Sequence, residues 1–252
     1  MLDGSHSFDH HATVKIGILS DIHGNFDALR ALPETFDEVW VLGDLVNYGP
    51  QPREVVDQVS RTAAAVVRGN HDHAVTSSED PKWKPRLARM AETTRQFTVA
   101  ALDRRQLDFL ANLPTSLELT RAGVRFHLTH ATPSNALRGW CLPDSDAWDA
   151  EVARISADVL LVGHTHVPFV RQVGPTLVVN PGSIGQPKTG DSFARYAVWK
   201  NGEVSLRSFT YPLDVTIGKI EALGFPQDVT EDLVALLRTG TLPEWKVLEG
   251  RE

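Results

Sequence analysis

A single cysteine, Cys141, excludes any disulfide within the chain of 252 residues. No apolar run approaches the ~20 residues that a membrane-spanning helix needs. Basic residues are in the minority: 25 Lys and Arg stand against 32 Asp and Glu, for a net charge of -7. That balance argues against an anionic membrane surface and against general nucleic-acid binding. It does not exclude an anionic substrate, because bound cations reverse the local field. Internal repeats and low-complexity stretches are also missing. Residues 1–13 are polar, carry His6, His10 and His11, and lack the apolar core of a signal peptide. They are expected to form a disordered leader, and the protein is expected to be cytoplasmic. What remains is ordinary for a globular protein, 42% hydrophobic and 23% charged. Length suits one large domain or a domain plus a small appendage, and a homo-oligomer is open.

The chain is organised around Val39-Trp40-Val41-Leu42-Gly43-Asp44. This reads as a buried strand running into a glycine and then a carboxylate. Asp44 is thereby presented at the carboxyl end of a strand, where open α/β sheets place their sites. The pattern recurs. Ile16 to Ser20 leads to Asp21 and His23. Ala64 to Gly69 leads to Asn70, His71 and Asp72. Phe126 to Thr129 leads to His130, and Val159 to Gly163 leads to His164 and His166. Five strand ends thus carry Asp, Asn or His, and they are expected to converge on one metal site.

Strand, helix, strand, helix, strand over Val14 to Val67 predicts a parallel sheet with helical crossovers. The strand leading to Asp44 is expected to be central. His73 to Pro85 reads as polar and irregular. Helices are expected over Arg86 to Ala101, Arg104 to Asn112 and Asp146 to Ser156. Strand pairs are expected over Leu117 to Thr129, Phe169 to Val179 and Ala194 to Thr210, the last around Asn201-Gly202. Helices over Val215 to Leu223 and Thr230 to Leu237 form a separate tail. The expected division is a leader (1–13), a main domain (14–212) and a C-terminal helical extension (213–252).

Asp21 and His23, two apart on an extended segment, send their side chains the same way, and His164 and His166 repeat this. With Asp44, Asn70 and His130 the set holds two carboxylates, one amide oxygen and four imidazoles. The mixture suits Mn, Fe, Co, Ni or Zn better than calcium or magnesium. Seven ligands exceed one tetrahedral ion and suit two ions that share Asp44. Taken singly, each residue has an ordinary explanation: a core histidine, a turn asparagine, a helix cap. Taken together they do not, because five strand ends would need five unrelated reasons.

Asp21-x-His23, Gly43-Asp44, Gly69-Asn70-His71-Asp72, His130 and Gly163-His164-x-His166 resemble the signature of the calcineurin-like metallophosphoesterase family, over roughly Val14 to Tyr211. The resemblance implies a four-layer αββα sandwich of two mixed sheets flanked by helices. It implies two divalent transition-metal ions, manganese foremost, with Fe, Zn, Ni or Co as alternatives. One ion would take Asp21, His23, Asp44 and His166, the other Asp44, Asn70, His130 and His164. His71 resembles the family's catalytic histidine, acting as acid or charge stabiliser while a water bridging the metals attacks. Asp72 would orient His71. Arg68 and Arg138 are candidates for contacts to the substrate's phosphate, and the Asn180 to Ser183 loop for supporting the ligands.

Asp21 to Asn25, Gly185-Gln186-Pro187 and Gly190-Asp191-Ser192 look like the small bacterial and archaeal phosphodiesterase branch. Its expected activity is hydrolysis of a small-molecule phosphate ester, as phosphodiesterase or phosphatase. The alternatives are a dinucleoside polyphosphate hydrolase or a protein phosphatase. Those relatives carry arginine after the Gly-Asp motif and Glu where this chain has Asp72, whereas Leu45 to Pro50 holds no arginine. A non-catalytic metal-binding scaffold would have lost some of the eight positions, and all are occupied.

Overall fold

The computed structural model describes residues 14–83 and 87–242. The leader expected over 1–13, the helix start expected at Arg86 and the end of the extension, 243–252, lie outside the described residues. In chain order the elements are β1 (Lys15–Leu19), α1 (Phe26–Arg30), β2 (Glu38–Val41), α2 (Pro52–Thr62), β3 (Ala65–Val66) and α3 (Asn70–Thr76). Then come α4 (Ala88–Ala101), α5 (Arg104–Asn112), β4 (Ser116–Arg121), β5 (Val124–Thr129), α6 (Ala147–Val152) and β6 (Val159–Leu161). The chain closes with β7 (Phe169–Val173), β8 (Thr176–Asn180), β9 (Ala194–Lys200), β10 (Glu203–Phe209), α7 (Leu213–Glu221) and α8 (Gln227–Thr239).

These strands form two five-stranded mixed sheets. The first has the order β10-β9-β1-β2-β3 and the second β4-β5-β6-β8-β7. β1, β2 and β3 are parallel, and the β9–β10 hairpin adds to β1 antiparallel. In the second sheet β5, β6 and β8 are parallel, with antiparallel β4 and β7 at the edges. The sheets pack face to face. Ile16, Ile18, Trp40 and Leu42 of the first meet Phe126, Leu128, Leu161 and Val179 of the second. Trp40 sits edge-on to Phe126, ring centres 5.0 Å apart. The opposite faces are covered too: Leu19, Val41, Val55, Val59 and Leu110 pack outside the first sheet, and Leu160, Val178 and Trp148 outside the second. Strands buried on both faces account for their nearly unbroken apolar runs. The result is the expected α/β arrangement of two mixed sheets flanked by helices.

Local signals account for the helices. Val55, Val56 and Val59 form the buried stripe of α2, which starts with Pro52 in its first turn. Asp103 and Gln106 form a reciprocal capping box on α5. Gly240 ends α8 in the left-handed region, φ 63°.

Four expectations need correction. β1, not β2, is the central strand of its sheet, because the returning hairpin adds beside β1 and leaves β2 next to the edge strand β3. The stretch expected to be irregular begins with a helix, α3, whose Asp72 carboxylate accepts the Gly69 N–H at 2.9 Å and so caps its start. α6 ends at Val152, short of the expected Ser156. The tail is not detached: Ile217, Ile220, Leu233 and Leu236 pack with Tyr48 and Met90, and Lys219 meets the buried Asp27 carboxylate at 2.7 Å.

Candidate metal centre

The carboxyl ends of the strands meet at one edge of the sandwich. The loops after β1 and β2 run side by side, with Asp21 N–H donating to Gly43 O and His23 N–H to Asp44 O. Two glycines allow the close packing. A Cβ on Gly69 would strike the Asp44 carboxylate, and one on Gly163 would strike Ser20 and Asp21. Asp21, His23, Asp44, His164 and His166 all hold φ between 48° and 65°. Left-handed backbone at non-glycine residues costs of order 1–2 kcal/mol each and concentrates where function demands a side-chain direction.

The expected side chains come together. Asp21, His23 and His166 form one cluster, and Asp44, His130 and His164 a second; within each, the ligating atoms lie within 4.8 Å of one another. His166 Nε2 is 3.1 Å from Asp21 Oδ1 and 3.2 Å from His23 Nε2. In the second cluster His130 Nε2 lies 3.2 Å from Asp44 Oδ2 and 3.0 Å from Asn70 Oδ1. Asp44 Oδ2 also faces the first cluster, 3.8 Å from His23 Nε2. One carboxylate oxygen therefore looks toward both groups.

The arrangement fits cations. Three rings are fixed from behind: His23 Nδ1 bonds Val46 O at 3.1 Å, His130 Nδ1 bonds Leu42 O at 2.7 Å, and His166 Nδ1 bonds Gln186 O at 2.6 Å. Each Nδ1–H donates to its carbonyl, so each Nε2 is the nitrogen that faces inward and that a metal would take on displacing any proton, the usual backing of a metal ligand. Asp21 Oδ1 is buried and has no well-placed hydrogen-bond donor, His166 Nε2 lying 3.1 Å away, a costly state that an inward cation would relieve.

The buried acids and imidazoles shift one another's charge. Burial would raise the acids, yet the facing imidazoles hold Asp21 and Asp44 well below the usual carboxylate range. Burial pulls His130 down, but the Asp44 carboxylate overrides it and lifts the ring to about 9. Burial keeps His23 and His164 well below the ordinary imidazole value.

His71 lies beside Asp44, its Nε2 4.0 Å from Oδ2. Three neighbours escaped the sequence reading. Asn47 Nδ2 donates to His71 Nδ1 at 2.9 Å, Trp83 stacks on the ring with centres 4.8 Å apart, and the Tyr48 ring meets it at a tilt, also at 4.8 Å. Burial drops His71 to about 4. With the Asn47 amide nitrogen donating to Nδ1, the neutral ring would carry its proton on Nε2, the nitrogen that faces Asp44. Asn47 and Tyr48 hold φ of 69° and 65° in a turn whose sequence, Asn-Tyr-Gly-Pro, signals only a loop.

Asp72 does not orient His71. Its oxygens accept the N–H groups of Asp44, Leu45 and Gly69 at 2.8 to 2.9 Å and brace the Gly43-Asp44 turn. Burial and the nearby Asp44 charge push its acid up to about 7, against the pull of those donors. The Asn180 to Ser183 loop supports the ligands: Asn180 bonds Gly163 O and Thr165 Oγ1, and Ser183 bonds Asp21 O. Arg68 is not drawn into the clusters; its guanidinium bonds Ala111 O at the end of α5. Arg138 is half-buried on the loop after His130, where its backbone N–H bonds Asn135.

Known proteins share this sequence pattern and fold. The profile of the calcineurin-like phosphoesterase superfamily domain matches residues 14–201. An uncharacterised protein of Methanocaldococcus jannaschii, MJ0912, is 26% identical over 91% of this chain and 94% of its own length. The phosphodiesterase YfcE of Escherichia coli K12 is 29% identical over 77% of this chain and 91% of its own. A crystal structure of a metallophosphoesterase from Sphaerobacter thermophilus superposes with a TM-score of 0.75, at 26% identity, over 89% of this chain and 99% of that one.

Proposed function

Because the chain belongs to the calcineurin-like phosphoesterase superfamily, we propose that it hydrolyses a small phosphate ester, a diester foremost, with two divalent cations held between its clusters. The observation that carries this reading is the placement of Asp44 Oδ2, 3.2 Å from His130 Nε2 and 3.8 Å from His23 Nε2. Asp21, His23 and His166 would hold one cation, Asn70, His130 and His164 the other, and Asp44 both. Manganese is the proposed metal, with Fe, Zn, Ni and Co as alternatives for the same donors. When bound, such a pair supplies charge neutralisation of the phosphate and the acidification of a water.

The protein's own groups do the rest. The carboxylates lend the negative charge that keeps cations in a buried site. The backbone carbonyls behind His23, His130 and His166 fix which nitrogen faces inward. His71, neutral and held by Asn47, aims an Nε2–H into the site. That favours donation to a phosphoryl oxygen as charge builds there over service as a full acid.

The test is reconstitution of metal-free protein with manganese and assay on bis(p-nitrophenyl) phosphate, p-nitrophenyl phosphate and diadenosine tetraphosphate. Asp44→Asn is expected to lower turnover roughly a thousandfold or more, on the scale of losing a main electrostatic stabiliser. Equal turnover by both proteins overturns the reading.

A further inference from the structure

Lys188 and Trp140 stand over the centre without belonging to either cluster. Lys188 comes from the loop between β8 and β9 and is half-buried, its Nζ 3.2 Å from His166 Nε2. A cation on His166 would compete for the same lone pair. The flexible four-carbon stem lets the ammonium yield that position and meet an anion instead.

Trp140 stands beside His164 of the second cluster. Its ring meets His164 edge-on, centres 5.4 Å apart, yet is 48% exposed. The loop that carries it is tied down. Ala131 N–H donates to Ala136 O, Gly139 N–H donates to Asn135 O, and Cys141 is buried. Gly139 lies so close to Thr132 that a Cβ would strike its hydroxyl. A braced loop thus holds a half-exposed indole one ring away from the second cluster. Leu142, 44% exposed, lies two residues further along the same loop.

We propose that this pair reads the substrate: Lys188 binds a phosphoryl oxygen, and Trp140 stacks on a flat aromatic group carried by the same phosphate. The substrate class is then a nucleotide-like phosphodiester. This rests on the phosphoesterase reading, and it deepens it by adding a base-sized subsite. Stacking on an indole is tolerant of which base is present, so the pair selects for a planar ring and not for one nucleobase.

The test is calorimetric titration of the manganese-loaded full chain with thymidine 5′-monophosphate and, separately, with inorganic phosphate. The nucleotide is expected to bind about tenfold more tightly, the lower range for one stacked base. Trp140→Ala should erase that advantage and leave phosphate affinity unchanged, while Trp140→Phe keeps part of it. Lys188→Gln should weaken both ligands alike, about tenfold, as expected for losing one charged hydrogen bond, with metal content unchanged. Equal affinity of the two ligands in the wild type, an advantage that survives Trp140→Ala, binding of neither ligand, or metal loss in Lys188→Gln would each overturn the proposal. Turnover separates the two readings. Binding in this pattern without hydrolysis defeats the enzyme reading alone, and hydrolysis without nucleotide preference defeats this one alone.

Discussion

The rims of the two sheets bring unlike chemistry to their common edge. Loops after the first sheet's strands supply both cluster carboxylates, Asp21 and Asp44, with Asn70 and His23. Loops after the second sheet's strands supply imidazoles only: His130, His164 and His166. Each acid of the first rim faces an imidazole of the second, Asp21 with His166 at 3.1 Å and Asp44 with His130 at 3.2 Å. Alone, the first rim would bury two carboxylates with too little to balance them, a costly state. The second alone would gather three neutral or mutually repelling rings. The centre is therefore a property of the seam between the sheets, and the close packing of their facing sides does functional as well as structural service.

The largest effect comes from breaking that seam. Trp40 is fully buried between the sheets against Phe126. Trp40→Ala should cost about 3–5 kcal/mol, the range for deleting a large buried aromatic ring, read from the urea midpoint. Manganese affinity should fall in both clusters together, since neither rim holds a cation unaided. Unchanged affinity in a destabilised variant would mean that one rim suffices.

A smaller effect separates binding from chemistry within the first rim. His71 follows Asn70 but stands outside both clusters. His71→Ala should lower kcat roughly a hundredfold or more, as for one lost hydrogen-bond donor to the developing charge, while metal content stays as in the wild type. Loss of metal in this variant would place His71 among the ligands.

The smallest effect reads the cross-seam pair directly. His130 is raised from its ordinary value to about 9 by Asp44, so in metal-free protein the pair stabilises the fold fully below about pH 6.5. That contribution is lost as pH rises through about 9, because the folded chain must then give up a proton that the unfolded chain has already lost. The Tm of chelator-treated protein should fall across this window. In manganese-loaded protein the ring is a neutral ligand, and Tm should stay level there. A level Tm in the metal-free form would remove the Asp44–His130 pairing.

Much of this was legible in residue order. The strands are buried on both faces, so they read as apolar runs, and each run ends in a polar residue that local packing alone does not call for. The eight converging positions were found that way. What stayed hidden depends on contacts between distant segments. β2 lost the central place because β9 returns across more than half the chain to pair with β1, and no local pattern reports a partner. α3 was hidden because Asn-His-Asp-His reads as a turn; it becomes a helix start only when Asp72 caps Gly69 and braces the β2 loop. Asn47, Tyr48 and Trp83 around His71, and Lys188 beside His166, sit on loops whose residue types are common in any loop. The tail read as detached because its apolar stripes could not name Tyr48 and Met90 as their partners.

The central claim is that two cations share the Asp44 carboxylate across the seam. Its most direct test is anomalous diffraction at the manganese edge from crystals grown with the metal. Two peaks flanking Asp44, one toward His23 and His166 and one toward His130 and His164, are the predicted result. A single peak, or a pair not bridged by Asp44, would contradict it.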